Sequence, residues 1–339
     1  MGAKLKVISI LAIGLLLLGA CKAALPVEQV VDAPVEEPTL RDLQNGKPFI
    51  YVGNGLGHPV ISIMMLGFLE ACEDYDVECE TMVGSGFEDS AYLSMLDQAI
   101  AHGSSGIVGS AYSPFRPAYK PLFDAGIPLV TFHTPIEKSD FPEMTGWAST
   151  DVADYGKRAA DAMAEKLACT GPIAITQNTF NDTENLAAQS FIDEMKVKCP
   201  DVEVLPPEIE GGDEPAAIAK AAAILLAHPD LKGAFGTTGG SPTTWAKAAE
   251  QAGQKPGDIV IIGMDYTRVN LDLVKAGWVY AVVGQPLYEE TYKCVELLIM
   301  ALKGEEVPYA NTMDSPIITA DMVDKYYGYA DRVDKMLGR

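Results

Sequence analysis

Hydrogen-bonding side chains dominate the segments that follow the short apolar runs of this chain. These segments are rich in Asn, Thr, Ser, Gln, His and Gly and hold few charged residues, with Arg116 and Arg268 as their cations. They comprise residues 54–60, 110–116, 132–135, 149–151, 177–185, 237–244 and 265–268, together with Gln285. Such side chains donate to and accept from hydroxyl groups, so they suit a neutral polar ligand better than an acidic one.

Groups that would support catalysis or hold a metal do not form a recognised pattern. Gly53-Asn54-Gly55-Leu56-Gly57 follows a strand and precedes a helix, but His58 stands where a dinucleotide fingerprint needs its third glycine. The chain contains no GxSxG, P-loop or HExxH motif and no cysteine or histidine cluster with zinc spacing. His102 and His228 fall at predicted helix ends. We therefore expect a binding protein with no metal and no cofactor, rather than an enzyme.

A repeated unit of short apolar strand, polar loop and helix must position these segments. The predicted strands are 49–53, 77–82, 106–110, 128–132, 145–148, 172–176, 202–205, 233–236, 259–263 and 280–284. The predicted helices are 60–74, 89–102, 117–125, 151–168, 184–198, 214–227, 243–252, 268–276 and 287–303. The alternation predicts an α/β fold of two doubly wound parallel-sheet lobes. Ligands bind beyond the carboxyl ends of such strands, so the polar loops are expected to face a cleft between the lobes.

The N-terminal residues predict export. Lys4 and Lys6 precede an apolar run at 7–18 that is short for a bilayer span, and the run closes with Leu18-Gly19-Ala20-Cys21. This tetrapeptide resembles a bacterial lipobox, which implies a signal peptide at 1–20 and a lipidated Cys21. Residues 21–47, rich in Pro, Glu, Val and Asp at their start, are expected to form a flexible tether. A plain signal peptide or an uncleaved anchor is the alternative. The sequence does not determine which membrane leaflet would carry the lipid anchor.

Length, charge and cysteine content narrow the class further. With 339 residues, of which 48% are apolar, the chain is long enough for two globular domains. Its net charge of −22 argues against nucleic-acid binding. Disulfides persist outside the cytoplasm, and pairing of Cys72 with Cys79 and of Cys169 with Cys199 is our hypothesis, although sequence alone leaves the connectivity open.

The order of motifs resembles the cluster B periplasmic sugar-binding proteins, the ribose-binding-protein-like receptors of ABC transporters with the type I fold. The resemblance covers residues 48–325. Its motifs are Asn54-Gly-Leu-Gly-His58-Pro59, Ala125-Gly-Ile-Pro-Leu-Val-Thr-Phe-His133, Ala148-Ser-Thr-Asp151, Leu225-Leu-Ala-His-Pro-Asp230, Ile261-Ile-Gly-Met-Asp265 and Gly284-Gln285-Pro286. It implies one lobe from 48–148 plus 286–308 and another from 149–285 plus 309–339, joined by a three-strand hinge. Ligand bound between the lobes would favour the closed form.

The resemblance also assigns roles to individual residues. Asp265 matches the carboxylate that accepts hydrogen bonds from sugar hydroxyls, and Gln285 matches its amide partner at the hinge. An N-cap for the helix near Arg268 is the alternative role for Asp265, and hydrogen bonding to the crossover backbone is the alternative for Gln285. Further ligand-binding candidates are Asn54, His58, His133, Thr134, Asn185 and Thr238.

This sequence departs from the ribose-type pattern at several of those positions. His133 and Thr134 replace an Asp-Arg pair, and Val60 and Ile61 replace the aromatic pair that sandwiches the sugar ring. Substitute stacking candidates near strand ends are Tyr112, Phe132, Trp147, Trp245 and Tyr266, for which a role in the core or at the rim of the cleft is the alternative.

The sequence thus predicts a lipid-anchored, extracytoplasmic receptor that delivers a neutral polyhydroxylated molecule, a sugar or sugar alcohol, to an ABC permease and its ATPase. We expect a monomer at the bacterial cell membrane. A sensory receptor for a nucleoside, a furanone-like signal or a more apolar ligand is the alternative. An exported enzyme ranks below both.

Overall fold

The computed structural model describes residues 37–112, 114–179 and 182–339. The predicted signal peptide, Cys21 and the tether up to residue 36 lie outside the described residues. The end of the predicted tether is structured, because Thr39 and Asp42 form a capping box for helix α1 (Leu40–Gln44). The buried Gln44 side chain then exchanges hydrogen bonds with the backbone of Glu78, at 2.9 and 2.7 Å.

Strands and helices alternate along the described residues. The strands are β1 (Phe49–Gly53), β2 (Cys79–Val83), β3 (Gly106–Gly109), β4 (Leu129–Phe132), β5 (Gly146–Ser149), β6 (Ile173–Gln177), β7 (Glu208–Ile209), β8 (Gly233–Gly236), β9 (Val260–Met264), β10 (Ala281–Val283), β11 (Ala310–Thr312) and β12 (Ile317–Thr319). The helices after α1 are α2 (Pro59–Asp74), α3 (Asp89–His102), α4 (Lys120–Asp124), α5 (Val152–Leu167), α6 (Asp182–Lys198), α7 (Glu214–Ala227), α8 (Ser241–Gln251), α9 (Arg268–Lys275), α10 (Leu287–Leu302) and α11 (Val323–Met336).

The described strands form two six-stranded sheets with matching orders, β11-β5-β4-β3-β1-β2 and β12-β10-β9-β8-β6-β7. Neighbours pair in parallel except for β10 with β12, which pair antiparallel. Helices α2, α3 and α10 pack on the first sheet, and α5, α8 and α9 pack on the second. We call these assemblies the first and second lobes. The predicted α/β fold of two doubly wound lobes is confirmed.

Three crossings connect the two sheets, after β5, after β10 and after β11. Hydrogen bonds tie the crossing segments together: the Met313 amide donates to the Ser149 carbonyl, and the Gly284 amide donates to the Pro316 carbonyl, both at 2.8 Å. The third crossing lies after β11, because β11 pairs with β5 in the first sheet. The boundary expected at residue 309 would have placed this strand in the second lobe.

Proline explains two differences from the predicted elements. The strand expected at 202–205 is reduced to a single bridge between Ile173 and Val204, and β7 occupies the sheet edge instead. Pro206 and Pro207 lie between them and have no amide hydrogen to donate to the sheet. The helix expected at 117–125 divides into a 3-10 turn (Arg116–Tyr119) and α4, with Pro121 inside the first turn of α4.

Two disulfides lie at the ends of helices. Cys72 near the end of α2 is bonded to Cys79 at the start of β2, and Cys169 after α5 is bonded to Cys199 after α6. Cys294 is a buried free thiol on α10.

Candidate functional site

The loops after β4 and β9 carry the most constrained polar residues of the hinge region. His133 follows β4 and Asp265 follows β9, and each adopts a positive φ of 70°. Left-handed backbone is unfavourable for residues other than glycine and is found where the surrounding structure imposes it. Strands β4 and β9 hold equivalent places in the two sheet orders. The two residues are therefore counterparts, one from each lobe.

Burial and hydrogen bonds to both the side chain and the backbone hold Asp265 in place. Its side chain is 3% exposed, and its Oδ1 accepts a hydrogen bond of 2.7 Å from the Gln285 amide. The side-chain amide of Asn270 donates to the backbone carbonyls of Gly239, Met264 and Asp265. Burial raises the pKa of Asp265 to about 6, although the His133 charge opposes this shift. The carboxylate is thus preorganised as an acceptor.

The structure does not show the alternative roles considered for Asp265 and Gln285, which were helix capping and hydrogen bonding to the crossover backbone. Thr267 is the N-cap of α9, because its side-chain hydroxyl accepts from the backbone N–H of Asn270, so Asp265 does not serve that function. The Gln285 side-chain amide donates to the Asp265 carboxylate, which fixes the pair as a unit.

Glu290 is a further ionisable residue at this site, and the sequence reasoning missed it. It lies on α10 with no exposed surface, and its Oε2 is 3.7 Å from Nδ1 of His133. Within the described residues neither of its oxygens has a hydrogen-bond partner. A signal was present in the sequence, because Glu290 is a charged residue within the mainly apolar face of α10 that includes Leu287, Cys294 and Leu298.

Two hydroxyl groups extend this polar cluster. In the described part of the chain, Tyr155 Oη and Thr134 Oγ1 are buried and lack a hydrogen-bond partner. Burial, reinforced by the Glu290 and Asp265 carboxylates, raises the pKa of Tyr155 well above its ordinary value. Buried polar groups without partners are rare in folded proteins. Thr134 follows His133 directly, and Tyr155 lies close enough to Glu290 and Asp265 to feel both charges.

The second lobe contributes a second carboxylate network, also unforeseen. The buried Glu210 accepts from Ser241 Oγ at 2.6 Å and from Thr238 Oγ1 at 3.3 Å. Burial raises the pKa of Glu210. Glu210 follows β7, the strand that the sequence reasoning misplaced. Asn185 is exposed on α6, and its Oδ1 accepts from the Gln177 amide at 3.1 Å.

The first lobe places Asn54 and His58 in the turn between β1 and α2. Asn54 is half-buried and His58 is exposed at the N-cap of α2, where its ring meets the edge of Phe87 at 5.2 Å. Neither residue touches the cluster around Asp265 in the contacts described. Leu56 and Phe87 are also exposed here, at 55% and 58%.

Most of the stacking candidates are core residues. The indole N–H of Trp245 donates to Thr176 Oγ1 at 2.9 Å, and that of Trp147 donates to the Ile136 carbonyl at 3.0 Å. Both rings are buried. Phe132 is buried against Tyr51, and Tyr266 is buried against Tyr326 and Tyr329. Tyr112, which is 40% exposed, is the member of this group that stays a stacking candidate.

The cations expected near the loops are engaged elsewhere. Arg116 donates to the Ala111 carbonyl at 3.1 Å, and Arg268 pairs with Asp331 and Asp334 at 2.6 and 2.9 Å. In residues 37–112, 114–179 and 182–339 no group of three or more His, Cys, Asp or Glu side chains is arranged to hold a metal. None of the helices described has the length and hydropathy that a bilayer span requires.

Two α/β lobes joined by three crossings, with buried polar side chains at their junction, are an arrangement in which small-molecule sites commonly occur. The chain belongs to the periplasmic binding protein family, since the model of the periplasmic binding protein domain matches residues 49–306. This confirms the resemblance to ribose-binding-protein-like receptors. The family is extracytoplasmic and consists of binding proteins rather than enzymes, and its members deliver solutes to ABC permeases.

Individual proteins are similar to this chain in sequence or in fold. The chain is 26% identical over 203 residues to a xylitol-binding protein of Mycolicibacterium smegmatis, a match that spans 59% of this chain and 56% of the relative. A sugar-binding protein of a sugar ABC transporter from Bacillus halodurans has the same fold, with a TM-score of 0.77 and 24% identity over 83% of this chain and 100% of that one. AraP, an arabinose-binding protein from Geobacillus stearothermophilus, superposes with a TM-score of 0.75 and 23% identity over 83% and 99% of the two chains.

Proposed function

We propose that this protein is a lipid-anchored receptor of an ABC importer that captures a neutral polyhydroxylated molecule, a sugar or sugar alcohol, between its lobes. The observation that carries the proposal is the Asp265–Gln285 pair at the hinge, beside the unpartnered hydroxyls of Thr134 and Tyr155. A ligand with several adjacent hydroxyl groups both donates and accepts, so it matches such a mixed set.

The charges of the site favour a neutral ligand. Asp265, Glu290 and Glu210 are buried carboxylates, whereas Arg116 and Arg268 are bound to other protein groups. A carboxylate or phosphate on the ligand would be repelled without a guanidinium to compensate it. The xylitol-binding relative supports a sugar alcohol as the first compound to test.

Isothermal titration of the mature chain, starting after Cys21, tests the cargo with xylitol, D-xylose, D-arabinose and D-allose. We expect one of these to bind, and Asp265→Ala to weaken that binding by more than about 2 kcal/mol because a charged acceptor is lost. Asp230→Ala, which removes an exposed carboxylate, is the matched control. Equal affinities for wild type and Asp265→Ala would contradict the assignment.

The anchor and the delivery step need separate tests. Metabolic labelling with palmitate should mark the wild-type chain and fail to mark Cys21→Ser, because thioether lipidation requires that sulfur. If genes for an ABC permease and ATPase lie beside this gene, stimulation of that transporter's ATPase activity by this protein would support import. Stimulation of a neighbouring histidine kinase would favour sensing instead.

A further inference from the structure

We propose that Glu290 is a positioning residue of this site, which holds the His133 imidazole in its charged form so that His133 donates to the ligand opposite the Asp265 acceptor. This inference rests on the proposed function, since it concerns the same cleft. It assigns a role to a residue for which the sequence suggested none.

The first step is the isolation of the Glu290 carboxylate. It has no exposed surface, and among the described residues neither oxygen has a hydrogen-bond partner. An unpaired buried carboxylate is expensive, so such groups persist where a cation or a function retains them. The nearest basic group is His133, whose Nδ1 lies 3.7 Å from Glu290 Oε2. This is ion-pair distance, longer than a hydrogen bond.

The second step is the set of charges around His133. Glu290 faces it from α10 and Asp265 faces it from the loop after β9. Tyr155 lies close to both carboxylates, and Tyr112 lies close to Glu290. Burial lowers the pKa of His133, but the two carboxylates together outweigh burial and raise it. No lysine or arginine enters this balance in the described residues.

The third step is the orientation of the ring. Nδ1 is buried on the side of Glu290, whereas 22% of the His133 side chain remains exposed. The Nδ1 edge of the imidazole thus faces Glu290, and we assign the opposite edge, with Nε2, to the ligand. The backbone of His133 has a positive φ of 70°, a conformation that persists only where the surrounding structure holds the residue in place.

A donor on the first lobe and an acceptor on the second lobe define a specificity. The ligand must present one oxygen that accepts from His133 and one hydroxyl that donates to Asp265. A charged imidazole backed by Glu290 would thereby supply a cationic donor in the segment where ribose-type receptors carry an Asp-Arg pair. Sugar acids should bind more weakly than the matching neutral sugars, because Glu290 and Asp265 repel a ligand carboxylate.

Nuclear magnetic resonance titration of the imidazole signals tests the pair without a ligand. His133→Asn identifies the His133 signal among the four histidines of the chain. We expect the wild-type pKa of His133 to lie above the ordinary value for histidine and to fall in Glu290→Gln. Glu289→Gln is the matched control, because Glu289 is the adjacent residue but accepts from Tyr329 on α11. A His133 pKa that does not respond to Glu290→Gln overturns the proposal.

Calorimetry with xylitol provides the second readout. We expect Glu290→Gln to weaken xylitol binding by about tenfold at pH 7, and Glu289→Gln to leave it within about twofold. Wild-type affinity should fall as the pH rises through the His133 pKa, and His133→Asn should abolish this alkaline decline. Full xylitol affinity in Glu290→Gln would overturn the role in binding. If xylitol fails to bind the wild type, the cargo assignment fails, and the His133 titration alone decides the proposal.

Discussion

At the scale of single residues, the buried carboxylate of Asp265 lowers the stability of the folded protein at neutral pH. Burial raises the pKa of Asp265 from 3.8 to about 6, so the folded protein holds this proton more tightly than the unfolded chain. The contribution of Asp265 to stability therefore decreases as the pH rises from 3.8 to about 6, and the full penalty is present above that range. A carboxylate retained at such a cost is expected where ligand binding requires it.

Asp265→Asn should make the protein more stable at pH 7 while weakening ligand binding. The neutral amide avoids the buried charge, and its oxygen still accepts from Gln285, so we expect a gain of about 1 to 3 kcal/mol in the free energy of unfolding. Urea denaturation at pH 4 and pH 7 measures the effect, which should be small at pH 4. Asp230→Asn, at an exposed site, should change neither value. Lower stability of Asp265→Asn at pH 7 would contradict the sign of this argument.

Gly239 allows the loop after β8 to approach Asp265. A Cβ at this position would lie 2.3 Å from Asp265 Oδ2, whereas a Cβ at the adjacent Gly240 would meet its nearest atom, Thr238 Oγ1, at 3.7 Å. We expect Gly239→Ala to displace the carboxylate and weaken ligand binding by about tenfold, and Gly240→Ala to have little effect. Titration calorimetry of both variants compares them. Similar affinities would show that the close approach has no part in binding.

At the scale of elements, the disulfides differ in the length of chain they close. Cys169–Cys199 closes a separation of 30 residues around the paired helices α5 and α6, and Cys72–Cys79 closes a separation of 7. Chain-entropy arguments predict that removal of the disulfide closing the longer loop costs more stability, about 3.6 kcal/mol against about 2.4 kcal/mol for the shorter loop. Urea denaturation of Cys169→Ala/Cys199→Ala and Cys72→Ala/Cys79→Ala measures both losses. A greater loss in the second double variant would indicate that local packing, rather than loop closure, dominates.

At the scale of the whole molecule, α11 links the two lobes. It packs against α2 of the first lobe and α9 of the second. Arg332 forms an ion pair with Glu70 on α2 and lies over the rings of Tyr288 and Tyr329, at 4.7 and 4.8 Å. Arg268 on α9 pairs with Asp331 and Asp334 of the same helix. Because opening of the cleft moves the lobes apart, these contacts are expected to favour the arrangement seen here.

Arg332→Gln should shift the ligand-free protein toward an open form. Loss of the ion pair and of the cation–π contacts is expected to cost about 1 kcal/mol, roughly a fivefold change in the ratio of closed to open molecules. Small-angle X-ray scattering should then give a greater radius of gyration for the ligand-free variant. Arg339→Gln at the chain terminus controls for the change in charge. An unchanged radius would indicate that α11 does not restrain the hinge.

Short-range patterns were enough to predict most of the elements. Apolar runs of strand length and helical periodicity gave α3 and α7 with their observed bounds, because such patterns depend on neighbouring residues alone. Boundaries failed at Pro206, Pro207 and Pro121, where the backbone donor is missing. The elements α11, β11 and β12 were not predicted. Strands β11 and β12 are three-residue edges that acquire their partners only in the folded chain.

The chemistry of the site divides in the same way. The chain order of polar loops after strands, and the motifs at Asp265 and Gln285, already indicated a two-lobed receptor, since parallel strands direct their following loops to one edge. The pairing of Glu290 with His133, the burial of Trp147 and Trp245, and the Glu210 network depend on contacts between distant segments. Whether a polar side chain meets a ligand, a partner or the core is determined by where the chain returns in space. The local sequence does not predict which distant segments come into contact, because the energy of such contacts comes from burial and pairing in the assembled lobes.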